Sequence, residues 1–542
     1  MPTPTSNGIV SPVALSGANA IDSLLCGNKW GGARGTGIAL TYSFSQSTSV
    51  YRLNYGIGEP KSGLSAFTDI QKNATRNALQ AWSDVANVQF AEVVDSADSV
   101  GDLRFARSFV RTAQAYCPVA FPEAGDAWFS NFDSAFDTDQ KGTYGYETFL
   151  HEIGHTLGLK HPHEAGKGGV ANAEIDVIAY TLMSYRSYVG ASPSLDPTES
   201  FYPTTPMLDD IAAVQYLYGA NWNTRSGDSV YTWSPGQQIL ETIWDGGGTD
   251  TIDWSNQSSA AKINLNQGQW SELGPSYWNG VANESRTLAI AGEVTIENAT
   301  GGSGNDNIIG NDGNNILNGG AGSDVMQGQE GDDRYVVDQP GDKVIEDPRA
   351  GNDTVEAAIS YTLGSHLESL TLSGTAQING KGNKFNNTIT GNAMSNRLSG
   401  AAGKDKLLGN AGDDSLSGAQ DDDTLVGGVG NDKLTGGSGA DRFVFHAKTE
   451  GIDVLADFKV VDDMLFVSRG GFGGGLVAEA PLRTTQFKLG AASGDASDRF
   501  IYNKSTGALF FDSDGLGGTE QVQFATLSTG LKLTSNDIFV IA

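Results

Sequence analysis

The sequence predicts a multidomain chain in which an α+β domain precedes an all-β repeat region and a β-rich end, on three observations. Residues 21–223 mix helical and strand periodicities within an ordinary globular composition. From about Gly227 to Asp441, single apolar residues recur among glycine, aspartate and asparagine, for long stretches at a nine-residue interval. From His446 to Ala542, strand-like runs alternate with glycine turns. The length, 542 residues, fits two or three domains.

In chain order, residues 1–20 are small, polar and proline-punctuated, and are expected to be a leader or short propeptide. They lack the basic start and sustained apolar run of a secretory signal. Residues 66–88 place Ile70, Ala74, Ala78, Leu79, Trp82 and Val85 near helical spacing, with Thr68 as cap. Strands are expected over 89–94 and 102–110. Residues 143–160 form a second helix, apolar through Tyr146, Phe149, Ile153 and Leu157 and stopped by Gly158. Residues 206–219 give a third, also ended by glycine.

Composition narrows the partners. A net charge of −30 repels nucleic acid and anionic membranes, so neither is expected as a partner. The regular placement of the carboxylates points to bound cations, with calcium the best match to many oxygen ligands. No apolar run is long enough to span a bilayer. Two cysteines, Cys26 and Cys117, leave a disulfide and two free thiols both open.

The 71 glycines are largely explained by the repeat. Units begin at Gly301, Gly310, Gly319 and Gly328, and again at Gly391, Gly400, Gly409, Gly418, Gly427 and Gly436, giving blocks 301–336 and 391–444 within a domain spanning 224–445. The sixth position is Asp or Asn, and the eighth is one large apolar residue. This resembles the G-G-x-G-x-D-x-U-x repeat of the RTX parallel β-roll, in which calcium binding and stacking fold the domain together. The calcium ligands expected from the pattern lie at Gly302, Gly304, Asp306, Gly320, Gly322, Asp324, Gly331 and Asp333. In the second block they lie at Gly403, Asp405, Gly412, Asp414, Asp423, Gly428, Gly430, Asp432, Gly437, Gly439 and Asp441. Asn315, Met394, Asn396 and Asp421 depart from the pattern, and weaker or missing sites are expected there. Residues 337–390 interrupt the repeat without explanation.

Four of the six histidines fall within thirteen residues, three of them in HEIGHTLGLKH. On a helix, His151 and His155 share a face, and Gly158 lets the chain turn back so that His161 supplies a third nitrogen. Three neutral imidazoles leave one position open, as catalytic zinc requires, and Glu152 lies beside it as a general base. Met183 follows His161 at the spacing of a Met-turn and is expected as an apolar floor under the metal. His163 is expected to be a bystander, and Cys26 is a minor candidate for an inhibitory zinc thiolate.

With these motifs, with Leu208-Asp209-Asp210-Ile211-Ala212-Ala213 and Tyr216-Leu217-Tyr218-Gly219-Ala220-Asn221, and with the entry segment Ile21-Asp22-Ser23-Leu24-Leu25, the chain resembles the serralysins, bacterial metzincin metalloproteases. The resemblance implies a zincin catalytic domain, one catalytic zinc ion and several structural calcium ions. The implied activity is a secreted endopeptidase that cleaves protein and peptide substrates by Glu152-assisted attack of zinc-activated water. It further implies that Tyr185 ligates zinc at rest and swings to the oxyanion during turnover. By the same likeness, calcium is held by loops containing Arg225, Gly227, Ser229, Asp245, Gly247 and Asp250. Residues 446–542 would end in a type I secretion signal, Asp537-Ile538-Phe539-Val540-Ile541-Ala542, read by an ABC exporter, with a proteinaceous inhibitor as a further partner and a monomeric protein. Strand 102–110 is the expected cleft edge for an extended substrate. The rival readings are a non-enzymatic RTX adhesin or scaffold with a degenerate zincin domain, and an RTX carbohydrate-modifying enzyme. The intact Glu152 argues against the first and the histidine motif against the second.

Overall fold

The computed structural model describes residues 9–51, 55, 63–193 and 199–542, and the chain divides into two compact units, Met1–Ile296 and Glu297–Ala542.

The first unit is built on a five-stranded sheet. Its order is Val88–Glu92, Ile38–Phe44, Leu103–Ser108, Asp126–Ser130, Ala113–Ala115, and only the last strand runs antiparallel. The expected cleft edge over 102–110 is therefore corrected: Leu103–Ser108 is paired on both sides, and the edges are Val88–Glu92 and Ala113–Ala115. Residues Leu103 to Ala106 are all buried, as a strand inside a covered sheet requires.

Helix Asp69–Val85 starts where Thr68 and Gln71 form a reciprocal capping box. Its buried face carries Ala74, Ala78, Leu79, Trp82 and Val85, whereas Ile70 is exposed, because it lies on the first turn outside that stripe. Helix Tyr144–Leu157 is capped by the Thr143 side chain and closed by Gly158 in the left-handed conformation, φ 110°. Nearly all of it is buried, and Trp82 Nε1 donates to Leu150 O at 3.0 Å across the two helices. Helix Leu208–Tyr218 locks onto it through Tyr218, whose hydroxyl donates to Leu157 O at 2.8 Å.

The described part of the expected leader is tied into this unit. Val10–Pro12 pairs antiparallel with Asn28–Trp30, and the Ser16 hydroxyl and amide both donate to Asp22 Oδ1. The unit also extends beyond the composition change near 223, because strands there bond back to it. Thr204 N donates to Leu240 O and Trp244 Nε1 to Asn221 O, and Glu241–Ile243 pairs parallel with Leu288–Ile290.

The second unit is a rolled parallel structure. Strands Ile316–Asn318 and Arg334–Val337 pair in one sheet, and Asn307–Ile309 and Val325–Gln327 in another, each register being 18 residues. Two nine-residue units thus make one coil, and the apolar eighth positions Ile308, Leu317, Met326 and Tyr335 are fully buried between the sheets. The interruption at 337–390 is no break in the ladder. Arg334 pairs with Thr354, Thr354 with Ser369, and Ser369 with Thr388, after which 18-residue steps resume at Lys406. Near the end, Met464–Ser468 pairs with Ile538–Ile541, so the final apolar run is a strand of the same sheet.

Candidate metal centre

Helix Tyr144–Leu157 places His151 and His155 one turn apart, and the reversal at Gly158 returns His161 to them. His161 Nε2 lies 3.2 Å from His151 Nε2 and 3.0 Å from His155 Nε2. Each Nδ1 has its own oxygen acceptor: Leu182 O for His151 at 2.7 Å, Leu159 O for His155 at 2.8 Å, and Glu164 Oε1 for His161 at 2.8 Å. With every Nδ1 carrying its proton to an acceptor, three Nε2 lone pairs face one point. Burial pulls all three imidazoles below their ordinary pKa, His161 to about 2, so their charged forms are disfavoured. Neutral nitrogens converging in a buried pocket repel one another unless a cation lies between them, and the donor set fits zinc.

Glu152 is buried beside this cluster, its Oε2 has no hydrogen-bond partner, and burial raises its pKa to about 8. Met183 is fully buried beneath the helix, and Gly154 leaves the space its sulfur occupies, since a Cβ there would lie 2.7 Å from Sδ. The Tyr185 ring lies 5.5 Å from that of His151, nearly parallel, and 4.3 Å from that of His161. His163 stacks on the outer face of His161 at 5.3 Å and stands outside the converging set. Cys26 is not among the converging donors; its thiol interacts with that of Cys117 and with Asn28 O, and the two cysteines form no disulfide.

Two residues with work at this site have no counterpart among the candidates from sequence. Asp210 is completely buried and accepts from Thr181 Oγ1 at 2.6 Å, Leu182 N at 2.7 Å and Met207 N at 3.0 Å, pinning the turn that carries Met183. Glu147, one turn before His151, lies 4.0 Å from its Nδ1 and is held well above the usual carboxylate range by burial. Helical spacing from His151 could have flagged Glu147, but nothing local marks Asp210.

Comparison with known proteins agrees with this centre. Residues 46–167 match the family described as matrixin, and residues 210–540 match that described as "Peptidase M10 serralysin C terminal". The chain belongs to the serralysin family. It is 36% identical over 294 residues to a metalloprotease AprA of Pseudomonas entomophila, covering 50% of this chain and 58% of the relative. It is 38% identical over 297 residues to serralysin B of Dickeya chrysanthemi, covering 49% and 57%. The chain thus spans less than two thirds of the length of these relatives. Serralysin membership implies zinc. No helix among the described residues is long and apolar enough to cross a membrane.

The loops named for calcium in the first unit also come together. Ser229 N donates to Asp250 Oδ1 at 2.7 Å, Gly247 N to Asp245 Oδ1 at 2.8 Å, and the Ser229 hydroxyl to Gly227 O at 3.0 Å, while the Arg225 guanidinium covers the Tyr231 ring.

In the serralysin-type repeats the aspartates form columns. Oδ1 of Asp324, Asp333, Asp405, Asp414, Asp423, Asp432 and Asp441 each accepts the backbone N–H of the residue 18 positions earlier. The other oxygen, Oδ2, is buried and has no hydrogen-bond partner in all seven. Burial raises the pKa of each, to about 7 for Asp414 and Asp423. A buried carboxylate oxygen without a donor is costly, and a cation removes the cost. Glycine carbonyls line the same columns: a Cβ on Gly320 would meet Gly302 O, on Gly322 would meet Gly304 O, and on Gly430 would meet Gly412 O. The remaining candidates, Gly331, Gly403, Gly428, Gly437 and Gly439, likewise face carbonyls one coil away. Asp306 accepts from Gly302 N at 2.6 Å.

Proposed function

We propose that this chain is a secreted zinc-dependent endopeptidase that hydrolyses peptide bonds in proteins, with a calcium-folded repeat region. The convergence of three neutral Nε2 atoms beside an unpartnered, buried carboxylate carries this reading. His151, His155 and His161 would hold the zinc ion, which supplies Lewis acidity toward a water molecule and toward the scissile carbonyl. Glu152 takes the proton from that water and delivers it to the departing amine. Its Oε2, buried without a hydrogen-bond partner, is free to take up that proton. Tyr185, whose ring packs against those of His151 and His161, would ligate the metal at rest and turn its hydroxyl toward the developing oxyanion, a role its packing supports. Met183 and its turn hold the floor of the pocket. The open edge of Ala113–Ala115 offers unpaired backbone to which an extended substrate adds as a strand.

The repeat columns support calcium ligation by Asp324, Asp333, Asp405, Asp414, Asp423, Asp432 and Asp441 with the glycine carbonyls, in the RTX manner. Low cytosolic calcium would leave the region unfolded for export through a type I ABC exporter, and millimolar calcium outside would fold it. A casein zymogram with and without a zinc chelator, in constant calcium, tests the reading. Clearing that is lost with chelator and restored by zinc supports it, and clearing that persists refutes it.

A further inference from the structure

Where the first repeat block gives way to the irregular coils, three buried carboxylates meet. Asp333 holds the sixth position of the last unit in the block, ahead of strand Arg334–Val337. Asp353 precedes strand Thr354–Ala357 in the same sheet and continues the aspartate column, its Oδ1 accepting from Asp333 N at 2.9 Å. Glu346 approaches from elsewhere, following strand Lys343–Ile345 of the facing sheet. One oxygen from each of the three lies within 4.8 Å of the others.

The surroundings make this more than an acidic cluster. Asp333, Glu346 and Asp353 are only 2%, 8% and 1% exposed, so solvent does not screen them. Oδ2 of Asp333 and Oδ2 of Asp353 are both buried without a hydrogen-bond partner. The Tyr335 hydroxyl, itself fully buried, donates to Glu346 Oε1 and fixes that side chain in place. Among the described residues no lysine or arginine pairs with any of the three, and the nearby charges that act on them, Asp332 and Glu368, are also negative. Burial raises the pKa of all three, Glu346 to about 7. Such a group must be neutralised, by protons or by a cation.

We propose that Asp333, Glu346 and Asp353 form a calcium site that closes the first repeat block and that the nine-residue pattern does not encode. The donors are all oxygen, which favours a hard cation over zinc. Calcium takes many oxygen ligands in flexible geometry, whereas magnesium demands a near-ideal octahedron and keeps several waters, so three buried carboxylates from separate segments suit calcium. The site differs from the repeat columns because its third carboxylate comes from outside the repeat and from the opposite sheet. The ion would staple the two sheets together at the place where the 18-residue register changes. This inference rests on the calcium reading of the repeats only for the identity of the ion.

The test is the calcium stoichiometry of the full-length chain, by equilibrium dialysis at saturating calcium, for wild type and Glu346→Gln. The variant is expected to bind one ion fewer per chain. Equal stoichiometry in the two proteins overturns this site alone, whereas a wild type that binds no calcium overturns the repeat reading as well. Thermal melting gives an independent sign. With an ion in the site, Glu346→Gln lowers Tm in saturating calcium and raises it in chelator, where it relieves repulsion. An unchanged or raised Tm in saturating calcium overturns the proposal. Asp353→Asn is read by the same two measurements and serves if the glutamate variant does not fold.

Discussion

His151 Nδ1 lies 2.7 Å from the carbonyl oxygen of Leu182, so one hydrogen bond joins the histidine-bearing helix to the turn bearing Met183. The bond fixes the imidazole tautomer and leaves Nε2 bare. The acceptor is itself held by Asp210, which takes three hydrogen bonds from the turn and from the start of helix Leu208–Tyr218.

Asp210→Asn is expected to lose at least one of these bonds, since an amide offers one oxygen where the carboxylate offers two. The cost is about 1–3 kcal/mol, seen as a lower Tm of the first unit. Zinc affinity is expected to fall by roughly 10–100-fold through the loosened His151, measured by competition with a chromogenic chelator. A variant with wild-type zinc affinity would remove Asp210 from any positioning role.

The two glutamates of the motif helix should separate cleanly. Glu152 has an unpartnered oxygen beside the histidines, while Glu147 lies 4.0 Å from His151 Nδ1, on the side away from the converging Nε2 atoms. Glu152→Gln is expected to lower kcat/KM by about 10²–10⁴-fold with zinc content intact. Glu147→Gln leaves Glu152 and the three Nε2 atoms in place and is expected to stay within a few-fold of wild type. Hydrolysis of a quenched peptide, paired with metal analysis, checks both, and comparable losses in the two variants would contradict the assignment of the base.

The gathering of the three histidines was legible because its geometry is local: His151, His155 and Glu152 share one turn, and Gly158 announces the reversal that brings in His161. Asp210 was not legible as a support, because its partners Thr181 and Leu182 are distant in sequence and meet it only in the fold. Sheet order was hidden for the same reason, so residues 102–110 read equally well as an edge or as the interior strand that they form. The stretch 337–390 looked unpatterned since its coils take 20, 15 and 19 residues from Arg334 to Thr354, Ser369 and Thr388. Yet Val355, Leu370 and Ile389 keep the buried position held by Tyr335 and Leu407, so the backbone ladder survives a spacing that a fixed period misses.

Ala419 shows how strongly the coil imposes its backbone. It occupies a second-position site where four of the ten units place glycine, and it adopts φ 89°, as Gly437 does at φ 108° one coil later. A β-carbon in that conformation costs about 1–2 kcal/mol, part of which is offset by the greater unfolded-state freedom of glycine. Ala419→Gly is therefore expected to stabilise the calcium-loaded repeat region by about 1 kcal/mol in denaturant titration. A loss of stability would mean that the methyl group packs favourably enough to outweigh the strain.

Asn396 answers the problem of the unpartnered aspartate oxygens in another way. Its Oδ1 accepts from Asn392 N at 2.8 Å, as Asp306 does from Gly302 N, but its Nδ2 donates to Ile378 O at 2.7 Å and Asn392 Oδ1 at 3.0 Å. Asn315 does the same toward Glu297 O and Asn311 Oδ1, and Asn387 toward Leu367 O and Glu368 O. In each, an amide N–H₂ points at oxygens that elsewhere would face a cation, so these turns need no metal to be satisfied. Asn396→Asp converts the donor into an acceptor and sets three oxygens against one another. In chelator the variant is expected to lose about 1–3 kcal/mol. In saturating calcium the new site fills, stability returns, and the chain binds one additional ion. Calorimetric melts in both conditions measure this as a wider gap between calcium-loaded and calcium-free Tm than in wild type. An unchanged gap would mean that the amide is not standing in for a cation.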